Sequence, residues 1–266
     1  MRYTGERLII GDKECDEDSD IYQEHIERYK FAAEFVQGRV LDIACGSGYG
    51  SKMLADRAEE VWGGDISEEA IKIAKEKYSG ENVHFRLMDA SELPFDNNYF
   101  DLVVSFETIE HLKDSEKFVA EIKRVLKPGG RLILSTPDKR VTKKLGVENK
   151  FHIKEFGTKE IKELLLNNNF KDIKFFGQRP VKKVSKLLLI YKIYKKIKLL
   201  NFLDKIISRR VKEKIGKEME SLEHDFKINR LDPPSPRLPP SPKWLRRPSR
   251  RAREEYLYII VIGIRN

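Results

Sequence analysis

Cysteine is scarce: Cys15 and Cys45 are the only two in 266 residues, and they lie far apart. A disulfide framework and a cysteine-ligated metal site are therefore unexpected, and a reducing cytoplasm is the expected setting. Long apolar runs are missing too. Lysines interrupt the longest one before it reaches the roughly 20 residues of a membrane-spanning helix. Residues 1–7 (MRYTGER) lack the apolar core of a secretory signal, and no internal repeat is apparent. The 40% of apolar residues is nonetheless enough for a full core in one large domain, or in a domain with an insertion.

The net charge of +9 is unevenly placed. Residues 181–217 carry +11 and residues 230–253 carry +7, which leaves −9 for the remainder. An acidic globular part thus bears a strongly basic insertion, a fact about partners rather than fold. Seven of the eleven prolines also fall in 230–253, so that segment is expected to be extended or polyproline-like. From Ile190 to Ile207 the pattern is helical, with Ile190, Ile193, Tyr194 and Ile197 opposite Lys192, Lys195 and Lys196.

Elsewhere strands and helices alternate. A helix over 21–36 precedes a buried strand at Val40–Ala44, then a helix from Tyr49 to Arg57. Val61–Asp65 is a second strand, and Ser67 caps a helix running to about Tyr78. Strands follow at Val83–Leu87, Phe100–Ser105, Arg131–Thr136 and Phe170–Phe176, with helices at 115–126 and 158–167. Lys127-Pro128-Gly129-Gly130 stops the first of these helices and turns the chain. The β-forming run from Tyr256 to Ile264 supplies a seventh strand. The expected fold is α/β: a Rossmann-like, seven-stranded, mostly parallel sheet with helices on both faces. The expected organisation is an N-terminal lid helix (1–36), a ligand-binding domain (37–178 with 255–266), and a basic helical and Pro-rich insertion (179–254).

The chemistry begins at the turn after the first strand, where Gly46, Gly48 and Gly50 allow positive φ and close approach of a ligand. The next helix offers its first N–H groups to a carboxylate. Asp65 ends the second strand, where an acid can accept from both hydroxyls of a ribose; it can equally serve the helix N-terminus beside Ser67. Asp89 follows the third strand, either to accept from an adenine amino group or as an ordinary loop acid. Three such features in register point to a nucleoside-bearing cofactor.

Residues 41–48 (LDIACGSG) are similar to motif I of class I S-adenosylmethionine-dependent methyltransferases. Asp42 departs from the G-x-G-x-x-G pattern of nicotinamide enzymes. Asp89-Ala90, Leu93-Pro94-Phe95, residues 100–103 (FDLV) and residues 124–130 (RVLKPGG) resemble later blocks of that family, over about residues 20–176. The resemblance implies S-adenosyl-L-methionine as cofactor. Gly46 and Gly48 would line its methionine part, Asp65 would hold its ribose, Ile66, Asp89 and Ala90 would meet its adenine, and Asp42, Ala44 and Tyr49 would also bind it. Phe106 would border the methyl-transfer site. Residues 3–7 and 24–29 look like those of methyltransferases linked to glycan assembly, with Tyr22, Arg28 and Tyr29 closing over the cofactor.

A hydroxyl acceptor often needs a base. His111, just after the fourth strand, and His152, beyond the fifth, are both candidates, because imidazole titrates near neutrality. Glu107-x-x-Glu110-His111 also resembles a metal-contacting element of ubiquinone-type O-methyltransferases. A solvated helix start is the preferred reading, so no metal is expected. The expected activity is O-methylation of a glycan or glycolipid hydroxyl. The alternatives are a lipid-quinone or other small-molecule acceptor, or a non-catalytic cofactor-binding scaffold at a membrane surface. The basic segment 181–217 suits a substrate lid or an anionic membrane surface, so the protein is expected in the cytoplasm, with peripheral membrane association as an option. No aromatic-basic recognition motif accompanies the charge, which argues against nucleic acid.

Overall fold

A computed structural model describes residues 20–145, 149–179, 227–230 and 258–266. The expectations for the lysine-rich helical stretch and the Pro-rich segment lie outside the described residues. The elements are α1 (Asp20–Ala33), β1 (Arg39–Ile43), α2 (Tyr49–Ala55), β2 (Glu60–Asp65), α3 (Glu68–Tyr78), β3 (Val83–Leu87) and β4 (Phe100–Phe106). There follow a 3-10 turn (Ile109–His111), α4 (Ser115–Val125), β5 (Leu126–Pro137), α5 (Lys139–Leu145), α6 (Thr158–Asn167), β6 (Phe170–Arg179), β7 (Lys227–Arg230) and β8 (Tyr258–Arg265).

The strand order is β3-β2-β1-β4-β5-β8-β6-β7. The pairs from β3 through β5 are parallel, whereas β8 runs antiparallel to both β5 and β6. The chain winds one way from β1 to β3, then returns to place β4 on the other side of β1. This reversal opens a crevice at the carboxyl ends of β1 and β4, where ligands of open α/β sheets sit.

Two apolar cores cover the two faces. On one face, Ile26, Tyr29 and Phe31 of α1 join Leu54 of α2 and Ile71 of α3. On the other, Phe118, Val119 and Ile122 of α4 join Ile161, Leu164 and Leu165 of α6. The N-terminal helix is therefore part of the core, with Phe31 1% exposed. α4 shows why its sequence folds as it does. Asp114 caps it by accepting from the Lys117 N–H, and its buried side chains recur at helical spacing.

The sheet departs from the sequence reading in three places. It has eight strands, because Lys227–Arg230, inside the expected insertion, pairs antiparallel with β6. Four residues show little alternation, so no sequence signal marked them. Lys127-Pro128-Gly129-Gly130 does end the helix, but it belongs to β5. It bulges between the Phe100–Leu126 and Leu102–Arg131 pairs, with Gly129 at φ +80°. Finally, α5 is too short and too lysine-rich to show an apolar period.

Candidate active site

A cavity of about 460 Å³ opens at the carboxyl ends of β1, β2, β3 and β4, within the usual range of roughly 300–1,000 Å³ for small-molecule sites. Its walls come from the segments after those strands: Ile43–Gly46, Asp65 and Ile66, Met88–Ala90, and Phe106–Thr108 with His111 and Leu112. His25 and Tyr29 of α1, Tyr49 of α2, and Phe151 complete it.

Of the sequence-predicted cofactor residues, Tyr29, Ala44, Gly46, Tyr49, Asp65 and Ile66 line this cavity, as do Asp89, Ala90 and Phe106. The three turn glycines serve three different purposes. At Gly46 (φ +55°) an added Cβ would meet nothing within 4 Å, so this residue leaves open space for a ligand. At Gly48 (φ +87°) a Cβ would lie 2.7 Å from Ala74 and Phe85. At Gly50 it would lie 2.0 Å from the Tyr29 ring. Gly48 and Gly50 are thus glycines because protein packs on them, which corrects the reading that all three admit a ligand. α2 has only seven residues.

Asp65, 6% exposed, accepts from the Gly46 N–H at 3.0 Å and from the Ser67 N–H at 2.9 Å. One carboxylate therefore ties the β1 turn to the start of α3, as the reading of a helix N-terminal acid beside Ser67 expects. Asp89 is exposed; its Oδ1 accepts from the Ser91 N–H at 2.7 Å, which holds the carboxyl below its usual range. Ile66 is 68% exposed at the cavity rim, an apolar side chain that a planar ring could cover.

Asp42 does not line the cavity. It is fully buried and accepts from Ser51 Oγ at 2.7 Å and from the Tyr29 hydroxyl at 3.2 Å. As a β1 residue it faces α1 and α2, so it supports the cavity wall from behind. Burial pushes its pKa up to about 7, against the pull of the Ser51 and Tyr29 hydrogen bonds, with the Asp65 charge adding to the rise. An acid raised on folding binds its proton more tightly in the native state, so its contribution to stability falls as pH rises from about 4 to about 7. Asp42→Asn should therefore lose less stability over that window than the wild type. Urea midpoints at pH 5 and pH 8 check this, and equal losses in the two proteins would refute it.

Tyr29 stands edge-on to Phe106 (5.0 Å) and Tyr49 (5.5 Å). Arg28, expected to close over the cofactor, is instead buried behind the wall. It donates to Gln178 at 3.0 Å, lies 3.7 Å from Glu107, and stacks on Tyr258 at 4.6 Å. It holds α1 to the ends of β4, β6 and β8. The side chain of Tyr22 lies outside the described residues.

Just after β1 and β4, respectively, Ala44 (φ +59°) and Glu107 (φ +50°) are both non-glycine residues in the left-handed region, and both line the cavity. Backbone strain of that kind concentrates at functional sites. Glu107 also accepts from Ser135 Oγ at 2.6 Å. Glu110 corrects the picture of a solvated helix start. It is fully buried, accepts from Thr136 Oγ1 at 3.0 Å, and leaves Oε1 without a hydrogen-bond partner. Burial, then the nearby Glu107, holds its carboxyl well above the usual range.

The structure brings the two predicted histidines together, with ring centroids 5.0 Å apart. His111 lines the cavity, and its Nδ1 lies 3.1 Å from the Phe151 carbonyl oxygen. A carbonyl only accepts, so Nδ1 carries the hydrogen and Nε2 keeps a free lone pair. His152 stands behind it, outside the cavity lining, with Nε2 3.0 Å from Asn149 Nδ2 and Nδ1 3.4 Å from Glu155. The possible ligand atoms of Glu110, His111 and His152 lie within 4.8 Å of one another, so this trio could hold a divalent ion. Sequence reasoning missed His25. Its Nδ1 is 2.9 Å from the Tyr49 hydroxyl, and burial, then Arg28, holds its pKa well below the usual value. Two sequence signals could have marked it: its place in the 24–29 segment and its position one helical turn before Tyr29.

Among the described residues no helix is long and apolar enough to cross a membrane. Residues 41–134 match the model of a methyltransferase domain family. The chain is 38% identical over 171 residues to a Mycolicibacterium smegmatis protein described as a "probable S-adenosylmethionine-dependent methyltransferase", covering 63% of this chain and 64% of that one. It is 36% identical over 130 residues to the ubiquinone biosynthesis O-methyltransferase of Rhizobium etli, covering 48% and 49%. A solved structure from Pyrococcus horikoshii superposes with a TM-score of 0.52 at 30% identity, over 60% of this chain and 85% of that one. The match thus spans less than two thirds of the length of these curated relatives.

Proposed function

We propose that this chain is an S-adenosylmethionine-dependent methyltransferase acting on a hydroxyl of a small acceptor, a reading supported by the match of residues 41–134 to a methyltransferase domain family. The domain would comprise 37–178 with 255–266, with 1–36 contributing wall and core and 179–254 inserted. One observation carries the reading: a single cavity runs from Gly46 past Asp65 and Asp89 to Phe106 and His111. Its open space at Gly46 and its apolar rim at Ile66 suit the cofactor.

In this reading Ala44 and Gly46 hold the methionine part, Asp65 accepts from the ribose hydroxyls, and Ile66, Asp89 and Ala90 surround the adenine. Asp42 and Gly48 act from behind, by fixing Tyr29 and α3. When bound, S-adenosylmethionine supplies a methyl group activated on a sulfonium. Phe106 excludes water at that edge. His111 takes the acceptor proton on Nε2 while the Phe151 carbonyl fixes its tautomer, with His152 buttressing the ring.

The apolar rim narrows the acceptor. Phe151, 54% exposed, and Leu112 wall the cavity beside His111, and nearby Ile153 is 55% exposed. An aromatic or lipid-linked hydroxyl covers such a rim better than a polyhydroxylated sugar does. The Rhizobium relative, whose name is a ubiquinone O-methyltransferase, points the same way. This favours the lipid-quinone type of acceptor over the glycan. Transfer of a tritiated methyl group to prenylated catechols and to glycan extracts tests it. Label is expected in the catechols. Label confined to glycans would overturn the acceptor class, and cofactor binding without transfer to either would favour the scaffold.

A further inference from the structure

We propose that His25 is a cofactor-positioning residue that donates a hydrogen bond to the methionine carboxylate of S-adenosylmethionine, which makes α1 part of the cofactor site. This rests on the cofactor reading above. His25 lines the cavity on the side of the glycine turn, because its partner Tyr49 follows Gly48 directly. Burial, then the neighbouring Arg28, disfavours its imidazolium form. A neutral imidazole has one N–H and one acceptor. Assigning the Tyr49 hydroxyl as the donor to Nδ1, 2.9 Å away, leaves the hydrogen on Nε2, which has no partner among the described residues.

The charges around the tail agree with this placement. Asp65, with its oxygens on Gly46 and Ser67, makes the β1–β2 side of the cavity negative, and Asp42 lies behind it. Tyr29 cannot serve a ligand carboxylate, because its hydroxyl already donates to Asp42. On the α1 side the buried guanidinium of Arg28 acts on the His25 ring. A zwitterionic tail therefore orients its ammonium toward the acids and its carboxylate toward α1, where His25 offers the donor.

The test uses the full chain and two ligands that differ only in this carboxylate, S-adenosylmethionine and decarboxylated S-adenosylmethionine, with Kd read by calorimetry. His25→Phe should weaken the first by about 10- to 100-fold and leave the second unchanged. His25→Gln, which keeps an N–H donor, should recover part of the loss. Tyr49→Phe, which removes the hydroxyl that sets the tautomer, should show a smaller loss, again for S-adenosylmethionine alone. Equal weakening of both ligands, or no weakening of either, in a His25→Phe protein that keeps the wild-type circular dichroism overturns the assignment. A wild-type chain that binds neither ligand overturns the cofactor reading itself.

Discussion

Asp65→Ala is expected to weaken binding of S-adenosylhomocysteine by at least about 100-fold, from the loss of two charge-assisted hydrogen bonds. Two effects combine. The carboxylate is 6% exposed, and both of its oxygens accept from backbone N–H groups, those of Gly46 and Ser67. Without it the turn that gives the cavity its open space at Gly46 loses its tie to α3. The proposed contact to the ribose is lost as well. Ligand choice separates the two effects. The wild type should prefer adenosine to 2′,3′-dideoxyadenosine, because only adenosine offers ribose hydroxyls. Asp65→Ala should bind both weakly and alike. A variant that still discriminates between them would show that Asp65 only builds the turn. Asp65→Asn is no rescue, because its amide NH₂ would face one of two N–H donors.

The sequence carried this site at the ends of strands and lost it inside helices. Asp65 and Asp89 were legible because each closes a short apolar run, and in a parallel sheet the carboxyl end of such a run is where ligands gather. Gly46, Gly48 and Gly50 were legible as a turn, yet not as three separate needs. Whether a missing Cβ makes room for a ligand or for Phe85 or Tyr29 depends on side chains 21 to 37 residues away. Asp42 shows the same limit. An acid in the middle of a buried strand can meet a ligand or a hydroxyl of the protein, and here Ser51 and Tyr29 meet it. His25 and the pairing of His111 with His152 depend on how α1 and the segment after α5 fold back, which no local period encodes. Strand β7 fails for a simpler reason, since four residues are too few to alternate visibly.

His111→Ala should lower turnover by about 100- to 10,000-fold, the usual worth of a positioned general base, while S-adenosylmethionine binding stays within about twofold, below the 1.4 kcal/mol that a tenfold change represents. The geometry behind this is the fixed tautomer. The Phe151 carbonyl can only accept, so the lone pair lies on Nε2 of a ring that lines the cavity. His152 does not line it and acts through the His111 ring, so His152→Ala should cost less, about tenfold, the lower end of a lost buttress. The buried Glu110, with its unpartnered Oε1, supplies the competing account: with both histidines it could hold a divalent ion in place of a free base. The two accounts part on one measurement. A base needs no metal, so turnover after dialysis against a strong chelator should be unchanged, and Glu110→Gln should remain active because burial and Glu107 already favour the uncharged form of that carboxyl. Turnover that is lost on chelation and restored by magnesium would make His111 a ligand. In that case a charged Glu110 would be required, and Glu110→Gln would be as inactive as His111→Ala.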